Sequence, residues 1–464
     1  MTQPFSAPFA PSLLRRARET ALRGGMRAAL WLARTVDAVR SRARGDGEPR
    51  PGGAGVRDEL DPLHPDALAD PYPLYARLRA EAPVHRVPGA GYVCVSRYED
   101  VRAVALDPVT YSSNLVAILM HSAGGARSIS MPSFGAGPVD VLALADPPTH
   151  TAQRKLMTGA FSMRAQRARD DELREMVGEC IDGLVAKRGG DYMHELAEVL
   201  PMRMVLRLTG LDERDHRRVK AMCDHAVALL GGVHTADGFA EHADGAIALY
   251  GYVTRQLEKA RGQPTDSELL SAITSSNLSF AEGASILLQL LIAGSDSSAS
   301  AMGSAMHRLA TDAALQASLR ASPALIPAFV EEVLRLEAPF QGHYRITTRD
   351  VTLGGVDLPR GTRLMLLWAS ANRDPARFAS PDTLDLARDD ARQHLTFGHG
   401  IHLCIGAHLA RREIAIATEE MLRRTSSITL GEGTSAHRPS VFTRTRAHLP
   451  IRVEPADASP DRRG

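Results

Sequence analysis

One cysteine stands at the end of a glycine-rich segment, immediately before a helical pattern. The segment is FGHGIHLCIG, Phe397–Gly406, and its cysteine is Cys404. Small and aliphatic residues repeat after it at helical spacing: Ala407, Ala410, Ile414, Ala417 and Met421. The unpaired N–H groups and the dipole at the start of that helix favour a thiolate, and Gly400 and Gly406 permit a close backbone approach. The pattern favours a metal-ligating or reactive sulfur; the alternative is an inert buried cysteine.

Two further motifs place polar side chains at helical spacing. Glu332 and Arg335 form an E-x-x-R pair, in which acid and base face the same side of a helix. In DPPTHTAQR, Asp146 is predicted to cap a helix on which His150 and Arg154 lie one turn apart. Two hydrogen-bond donors then point the same way, as recognition of an anion requires.

A hydrophobic helix is predicted from Ile286 to Leu309, and its middle is unusual. The apolar run LLQLLIAG ends at Ala293-Gly294 and is followed by an acid, Asp296, among serines that include Ser297. Glycine and hydroxyls inside a buried helix leave room for a kink or an inserted water. The alternative is a helix that simply reaches solvent at Asp296.

The cysteine segment resembles the heme-ligand signature F-x-x-G-x-x-x-C-x-G of the cytochrome P-450 superfamily, bacterial type. Phe397, Gly400, Cys404 and Gly406 match its four fixed positions. The resemblance implies that Cys404 is the axial thiolate of heme b, a ligand that favours cleavage of the O–O bond. It also implies that Phe397 shields the sulfur from water.

The resemblance assigns the polar motifs to the support of that heme. Glu332 and Arg335 would form a buried structural triad with Arg388 of PDTLDLAR, where Leu384 replaces the family's usual aromatic residue. The two heme propionates need charge-assisted partners. Four residues match the family's propionate contacts: His150, Arg154, Arg345 and His402.

The resemblance also implies an oxygen-binding groove along the hydrophobic helix. Ala293 and Gly294 would border the heme, and Asp296 and Ser297 would be the catalytic acid–alcohol pair, with Ser in place of the usual Thr. No cluster of charges marks the segments that would form the pocket, so an apolar substrate is favoured. The candidate substrate contacts are Leu115, Ile118, Leu290, Phe340, Gln341, Val441 and Phe442.

The implied function is a monooxygenase that inserts one atom of O2 into a hydrophobic small molecule by hydroxylation or epoxidation. Electrons derived from NAD(P)H would arrive from an external ferredoxin and its reductase, with Lys155, Arg411 and Arg412 as candidate docking charges. Alternatives are a heme-thiolate isomerase or dehydratase, or a peroxide-driven oxidase. An alternative of another class is a catalytically silent protein that recruits a partner through its basic N-terminal extension.

The amino-acid composition argues against several other classes of protein. The 464 residues are 44% hydrophobic, and 55 basic residues nearly balance 54 acidic ones, which argues against a disordered chain and a general nucleic-acid binder. The four cysteines lie far apart without a C-x-x-C pair, which argues against a disulfide scaffold. No apolar run is long enough to span a membrane. These features predict a cytoplasmic protein that binds no nucleic acid.

The N-terminal 50 residues differ from the rest because they contain ten Arg, no Lys and four acids. A basic amphipathic helix is predicted within residues 12–44, which predicts peripheral contact with an anionic membrane or an acidic partner; the alternative is a solvated extension. We divide the chain into an extension and linker (1–57), a heme-thiolate domain (58–455) and a loose tail (456–464).

The domain is predicted to be mainly α-helical with a small β-rich lobe, as a single unit with heme between the central helix and the cysteine segment. The expected elements are a helix from Asp70 through Leu78, a hairpin of Val84–Val87 and Tyr92–Ser96, an aperiodic loop from Ser112 to Ala145, helices from Pro148 to Leu336, strands at Val351–Leu358 and Arg363–Trp368, and a last helix Cys404–Arg424.

Overall fold

The computed structural model describes residues 60–88, 90–114, 140–231 and 238–456, and the backbone alone of 117–122, 125–130, 233–234 and 236–237. The predicted N-terminal basic helix, its linker and the tail after Ala456 lie outside the described residues. None of the described helices is long and apolar enough to cross a membrane.

Helices make up most of the described chain. They are α1 Pro65–Ala69, α2 Tyr72–Glu81, α3 Tyr98–Leu106, α4 Thr149–Met157, α5 Met163–Arg167, α6 Asp170–Ala186, α7 Val199–Leu208, α8 His216–Gly231, α9 Ala236–Ala260, α10 Glu268–Thr274, α11 Phe280–Thr311, α12 Ala313–Ala321, α13 Ile326–Leu336, α14 Trp368–Ala371 and α15 Ala407–Arg424. One π-helical turn, Met193–Ala197, precedes α7.

The strands form four small sheets among the described residues. The strands are β1 Val84–Arg86, β2 Val93–Val95, β3 Tyr111–Ser112, β4 Ala117–Ser122, β5 Gly125–Ser130, β6 Gly189–Asp191, β7 Val233–His234, β8 His343–Thr347, β9 Val351–Leu353, β10 Val356–Leu358, β11 Arg363–Leu366, β12 Thr425–Leu430 and β13 Pro450–Pro455. The orders are β1-β2-β11-β8-β3, β10-β9, β12-β13-β6 and β5-β4-β7.

The helical body and the β-rich lobe have separate cores. The body packs α6, α7, α11, α13 and α15 around fully buried side chains such as Leu173, Leu291 and Ile416. In the lobe the five-stranded sheet packs with α3 around Trp368 and Phe378, and with α2 in a second cluster that includes Leu78 and Met365. The expected class, mainly α with a small β-rich lobe, is confirmed.

Local sequence signals explain the two longest elements near the site. Ser279 and Glu282 form a reciprocal capping box that starts α11, and Asp312 ends it while capping α12. The helix runs unbroken through Ala293 and Gly294, so a kink there is not observed. At the other long element, α15 begins at Ala407, three residues later than predicted, because Cys404 and Gly406 belong to the loop and its N-cap.

Several element predictions are confirmed and others are wrong. The hairpin forms as β1 and β2, with Val84 opposite Val95. The segment 112–145 is not an aperiodic loop, because β4 and β5 pair as antiparallel strands within it. Asp146 does not cap α4: the N-cap is Pro148, and the Asp146 carboxylate accepts hydrogen bonds from Ser112 and Ser113.

A buried acid on α15 makes stability depend on pH. Burial raises the pKa of Glu413 to about 8, although a hydrogen bond with Ser298 of α11 acts in the opposite direction. Since the folded protein retains this proton while the unfolded chain releases it near pH 4.3, stability falls as pH rises between those values and levels off above them. Between pH 5 and pH 8 the loss reaches about 4 kcal/mol at the 1.36 kcal/mol per unit of one titrating group.

We therefore expect Glu413→Gln to flatten this part of the pH–stability curve, measured by chemical denaturation at several pH values. The matched control is Glu258→Gln, at an exposed position of α9. Parallel curves for the wild type and Glu413→Gln would contradict the prediction.

Candidate functional site

The cysteine loop is held in a defined shape ahead of α15. The Cys404 N–H donates to the Phe397 carbonyl at 2.8 Å, which closes the loop on itself. Arg154 of α4 donates to the Leu403 carbonyl at 2.6 Å and fixes the loop from outside. The sulfur therefore has a position determined by both α15 and α4.

Glycine is required at one of the two predicted positions. Gly400 has a φ of 71°, and a Cβ there would lie 2.6 Å from the Ala105 carbonyl oxygen of α3. Gly406 has an ordinary φ of −85°, and a Cβ there would lie 3.9 Å from the Cys404 sulfur. The loop therefore packs against the β-rich lobe at Gly400, whereas Gly406 leaves space beside the sulfur.

Opposing influences act on the Cys404 thiol. The surrounding protein raises its pKa, whereas the Gly406 N–H, Arg154 and Arg411 act to lower it. Cys404 as a residue is nevertheless exposed. Cys94 and Cys223 are buried instead, and burial raises the pKa of the Cys94 thiol beyond the usual range. Only at Cys404, among the four cysteines, does a positive environment combine with exposure.

Four donor side chains converge beside this loop. The His150 and His402 rings lie 4.3 Å apart, and both are close enough to Arg154 for electrostatic coupling, as His402 also is to Arg345. Burial, and then Arg345 and His150, lower the pKa of His402 to about 3. Burial lowers the pKa of Arg345 to about 10, and its only hydrogen bond in the described chain goes to the Tyr344 carbonyl.

The Asp146 carboxylate acts on His150 and Arg345 through its charge, but its hydrogen bonds go to Ser112 and Ser113. His150 Nδ1 and His402 Nε2 are buried without a hydrogen-bond partner, and no described carboxylate forms an ion pair with Arg345. Buried donors without partners are costly. A ligand with carboxylate groups would satisfy them.

The middle of α11 has an open face. Ala293 is exposed and Gly294 and Ser297 are half-buried, within a helix whose neighbouring turns are mostly buried. The Ser297 hydroxyl donates to the Ala293 carbonyl at 2.7 Å, one turn earlier. The face of α11 that carries Ala293 and Ser297 is open, and Cys404 is exposed as well. Two such surfaces could bind a flat ligand.

The Asp296 side chain contacts Thr445 and Lys220. Its Oδ2 accepts a hydrogen bond from Thr445 at 3.0 Å, and its Oδ1 lies 3.7 Å from the Lys220 ammonium of α8. Burial disfavours the Lys220 charge, but Asp296, Asp224 and Glu198 more than compensate and raise the pKa of Lys220. The buried acid is thus paired with a cation from α8, a contact that sequence spacing alone does not show.

The E-x-x-R motif forms a buried triad. Arg335 donates to both Glu332 oxygens at 2.6 and 3.0 Å, and Arg388 Nε lies 3.1 Å from Glu332 Oε1. Arg335 also donates to the Asn372, Pro381 and Thr383 carbonyls. The predicted assembly of Glu332, Arg335 and Arg388 is therefore present, and it anchors the segment that precedes the cysteine loop.

Comparisons with known proteins agree with this geometry. Residues 252–437 match the family model described as Cytochrome P450. The chain is 35% identical to Cytochrome P450 144 of Mycobacterium tuberculosis over 398 residues, covering 84% of this chain and 90% of the relative. The chain belongs to the cytochrome P450 superfamily. Cytochrome P450 monooxygenase PikC of Streptomyces venezuelae is 33% identical, with 85% and 94% covered.

The structural comparison gives the same family. The P450 CYP109Q5 from Chondromyces apiculatus superimposes with a TM-score of 0.74 at 32% identity, covering 86% of this chain and 99% of that one. The protein is thus a bacterial-type P450 monooxygenase, which acts with heme, O2 and electrons from a redox partner.

The residues present fit a heme. Cys404 would bind its iron, His150, His402 and Arg345 would hold its propionates, and Ala293 and Ser297 of α11 would line its pocket. Arg154 stays a candidate as well, because its Nη2 donates to the Leu403 carbonyl while a guanidinium has further N–H donors.

We expect Arg345→Leu to weaken heme retention in this P450 by about tenfold or more, the usual worth of a hydrogen bond to a charged group. The measurement is the rate of heme transfer to an excess of a heme-scavenging globin. Arg360→Leu, at an exposed position, is the control. Equal transfer rates for wild type and Arg345→Leu would exclude a propionate contact.

Two of the three predicted docking charges are already paired. Arg411 donates to both oxygens of Glu331 at 2.7 and 3.0 Å, and Arg412 forms an ion pair with Asp170 at 2.6 Å. Lys155 is exposed. Carboxylates from α13 and α6 offset the charges of Arg411 and Arg412, and the role of these residues in docking stays a prediction.

Sequence reasoning missed the role of Glu331. This buried acid binds Arg411 and lies 3.1 Å from His394, and these contacts lower its pKa despite burial. The Arg411 guanidinium lies 4.4 Å from the centre of the Phe397 ring. Glu331 thus supports the phenyl ring beside the cysteine loop, and its only signal in the sequence is a second acid next to the E-x-x-R motif.

The predicted substrate contacts differ in their placement. Leu115 and the side chain of Ile118 lie outside the described residues. Leu290, Val441 and Phe442 are buried in the cores, and Phe340 is half-buried with its ring 5.2 Å from that of Phe442. The Gln341 amide accepts from Tyr75 and donates to the Ser440 and Thr443 carbonyls, so it has no free hydrogen-bonding capacity for a substrate.

Proposed function

We propose that this P450 hydroxylates or epoxidises a hydrophobic small molecule, with heme b and with electrons delivered from NAD(P)H by a ferredoxin and its reductase. Bound heme would supply the activation of O2. The observation that carries the proposal is the Ser297 hydroxyl on the open face of α11, one turn from Ala293, with a buried acid as its neighbour in the chain.

Ser297 is proposed to pass a proton toward the reacting oxygen. Its hydroxyl bonds to the Ala293 carbonyl at 2.7 Å and can rotate away, since serine lacks the methyl group that stiffens threonine. Asp296 is proposed to exchange protons with solvent when its contacts with Lys220 and Thr445 open.

The substrate is proposed to be apolar because the polar candidates near the site are engaged. The Gln341 amide forms its hydrogen bonds within the protein, and the other two candidates, Phe340 and Phe442, have aromatic side chains that pack on each other. A pocket of this kind selects by shape and burial rather than by charge.

The proposal is tested with purified protein, a surrogate ferredoxin and reductase, and a library of hydrophobic compounds. We expect Ser297→Ala to lower product formed per NAD(P)H at least several-fold and to release peroxide in its place. Ser297→Thr, the matched control, retains the hydroxyl and should retain product formation. Equal coupling in wild type and Ser297→Ala would remove Ser297 from proton delivery, and product from peroxide alone at an undiminished rate would favour the peroxide-driven alternative.

A further inference from the structure

Two histidines and an aspartate meet on the surface at the start of β13. Asp191 is the last residue of β6, His194 lies in the π-helical turn that follows, and His448 stands two residues before β13. His448 Nδ1 lies 2.7 Å and His194 Nε2 3.7 Å from the same oxygen, Asp191 Oδ2. One potential ligand atom from each residue lies within 4.8 Å of the other two.

Further hydrogen bonds orient two of these side chains, Asp191 and His194. Asp191 Oδ1 accepts the Met193 and Leu449 N–H groups, both at 3.0 Å, so that Oδ2 faces the two imidazoles. His194 Nδ1 lies 2.7 Å from Glu198 Oε2, one turn later, so that its Nε2 faces Asp191. In known metal sites, a carboxylate that accepts the second ring N–H of a ligating histidine fixes the tautomer and the ring orientation of that histidine.

The donor set identifies the ion. Two imidazole nitrogens and one carboxylate oxygen suit Zn²⁺ and its neighbours in the first transition row, whereas Ca²⁺ and Mg²⁺ prefer oxygen ligands alone. Zinc bonds of about 2.0–2.2 Å place tetrahedral ligand atoms roughly 3.4 Å apart. The side chains of His194 and His448 are 44% and 51% exposed. They therefore have room for the small rotation that would bring the ligand atoms to this spacing.

We propose that Asp191, His194 and His448 form a binding site for Zn²⁺, with water completing the coordination. Binding requires neutral imidazoles and replaces the contact between His448 Nδ1 and Asp191 Oδ2. The ion would join the turn after β6 to the strand β13, two segments separated by more than 250 residues along the chain. The site shares no residue with the cysteine loop, the donor cluster or the triad described above.

The site has a structural consequence. Because the three residues come together only in the folded protein, Zn²⁺ binds the native state in preference to the unfolded chain and raises thermal stability with the logarithm of its concentration above Kd. The neighbouring β6–β13 pairing, in which Asp191 is opposite Pro450, would be the part stabilised most directly.

The test uses the tag-free heme-loaded protein, titrated with ZnCl2 by calorimetry at a pH above the ordinary pKa of histidine. We expect one equivalent of Zn²⁺ to bind the wild type and to raise its melting temperature. His194→Asn and His448→Asn should each weaken binding at least tenfold and remove the thermal shift. Titration with Co²⁺ gives a second readout, because visible absorption bands report its coordination by the histidines.

The control is His64→Asn, which removes an exposed histidine of another surface and should leave Zn²⁺ binding unchanged. Circular dichroism and the heme spectrum establish that each variant is folded. Absence of a one-equivalent event in the wild type, binding that needs millimolar Zn²⁺, or equal affinity in the wild type and both histidine variants would overturn the proposal.

Discussion

Cys404→Ala is expected to abolish both the red-shifted absorption maximum of the reduced, carbon-monoxide-treated protein and all oxygenation of substrate. The sulfur of Cys404 is the one thiol of the four that combines exposure with a nearby positive environment. The Phe397 carbonyl and Arg154 fix the loop that carries it. A heme held without a thiolate has a different spectrum and lacks the electron donation that favours O–O cleavage.

The measurement is the difference spectrum of the purified variant, with heme content determined separately. Cys180→Ala, at a half-buried cysteine of α6, is the matched control and should keep the wild-type spectrum. A thiolate-type spectrum in Cys404→Ala would show that another ligand holds the iron and would remove the basis of the proposed chemistry.

Glu332→Gln is expected to destabilise the protein by about 3–5 kcal/mol, the usual cost of removing one partner from a buried ion pair. The substitution keeps the shape of the side chain but leaves Arg335 and Arg388 without their counter-charge, and the side chains of Glu332 and Arg335 are completely buried. The segment 379–388, whose carbonyls both arginines hold, would lose its anchor.

Thermal and chemical denaturation of the heme-loaded protein measure this effect. Glu81→Gln breaks the exposed pair with Arg77 on α2 and serves as the control, with little expected change. If Glu332→Gln cannot be isolated folded, the yield of heme-loaded protein relative to Glu81→Gln gives the same comparison. An unchanged melting temperature would mean that the triad contributes nothing to stability.

The features that sequence predicts well are those encoded by short spacing. Glu332 and Arg335 are three residues apart on one helix, so their pairing follows from helical geometry. The turn-rich cysteine loop and the hydrophobic face of α15 are likewise local patterns. These elements carry the family's signature, and the site could be located from them.

Long-range partners could not be predicted in the same way. Lys220 reaches Asp296 from 76 residues earlier in the chain, and Glu331 binds Arg411 from 80 residues earlier. Nothing in either local sequence distinguishes these charges from solvated ones. The β4–β5 hairpin was missed because its residues do not alternate cleanly between polar and apolar, although Gly125 next to a second glycine signals a turn.

The close contact between Gly400 and the Ala105 carbonyl has a mechanical consequence. The cysteine loop and the β-rich lobe are in close backbone contact at this point, and this contact restricts movement of one relative to the other. Entry of a bulky molecule must then be accommodated by parts of the chain far from this contact, such as α8 and α9, which pack on each other and on α11. We therefore expect α8 and α9 to move more than the cysteine loop when a bulky molecule enters.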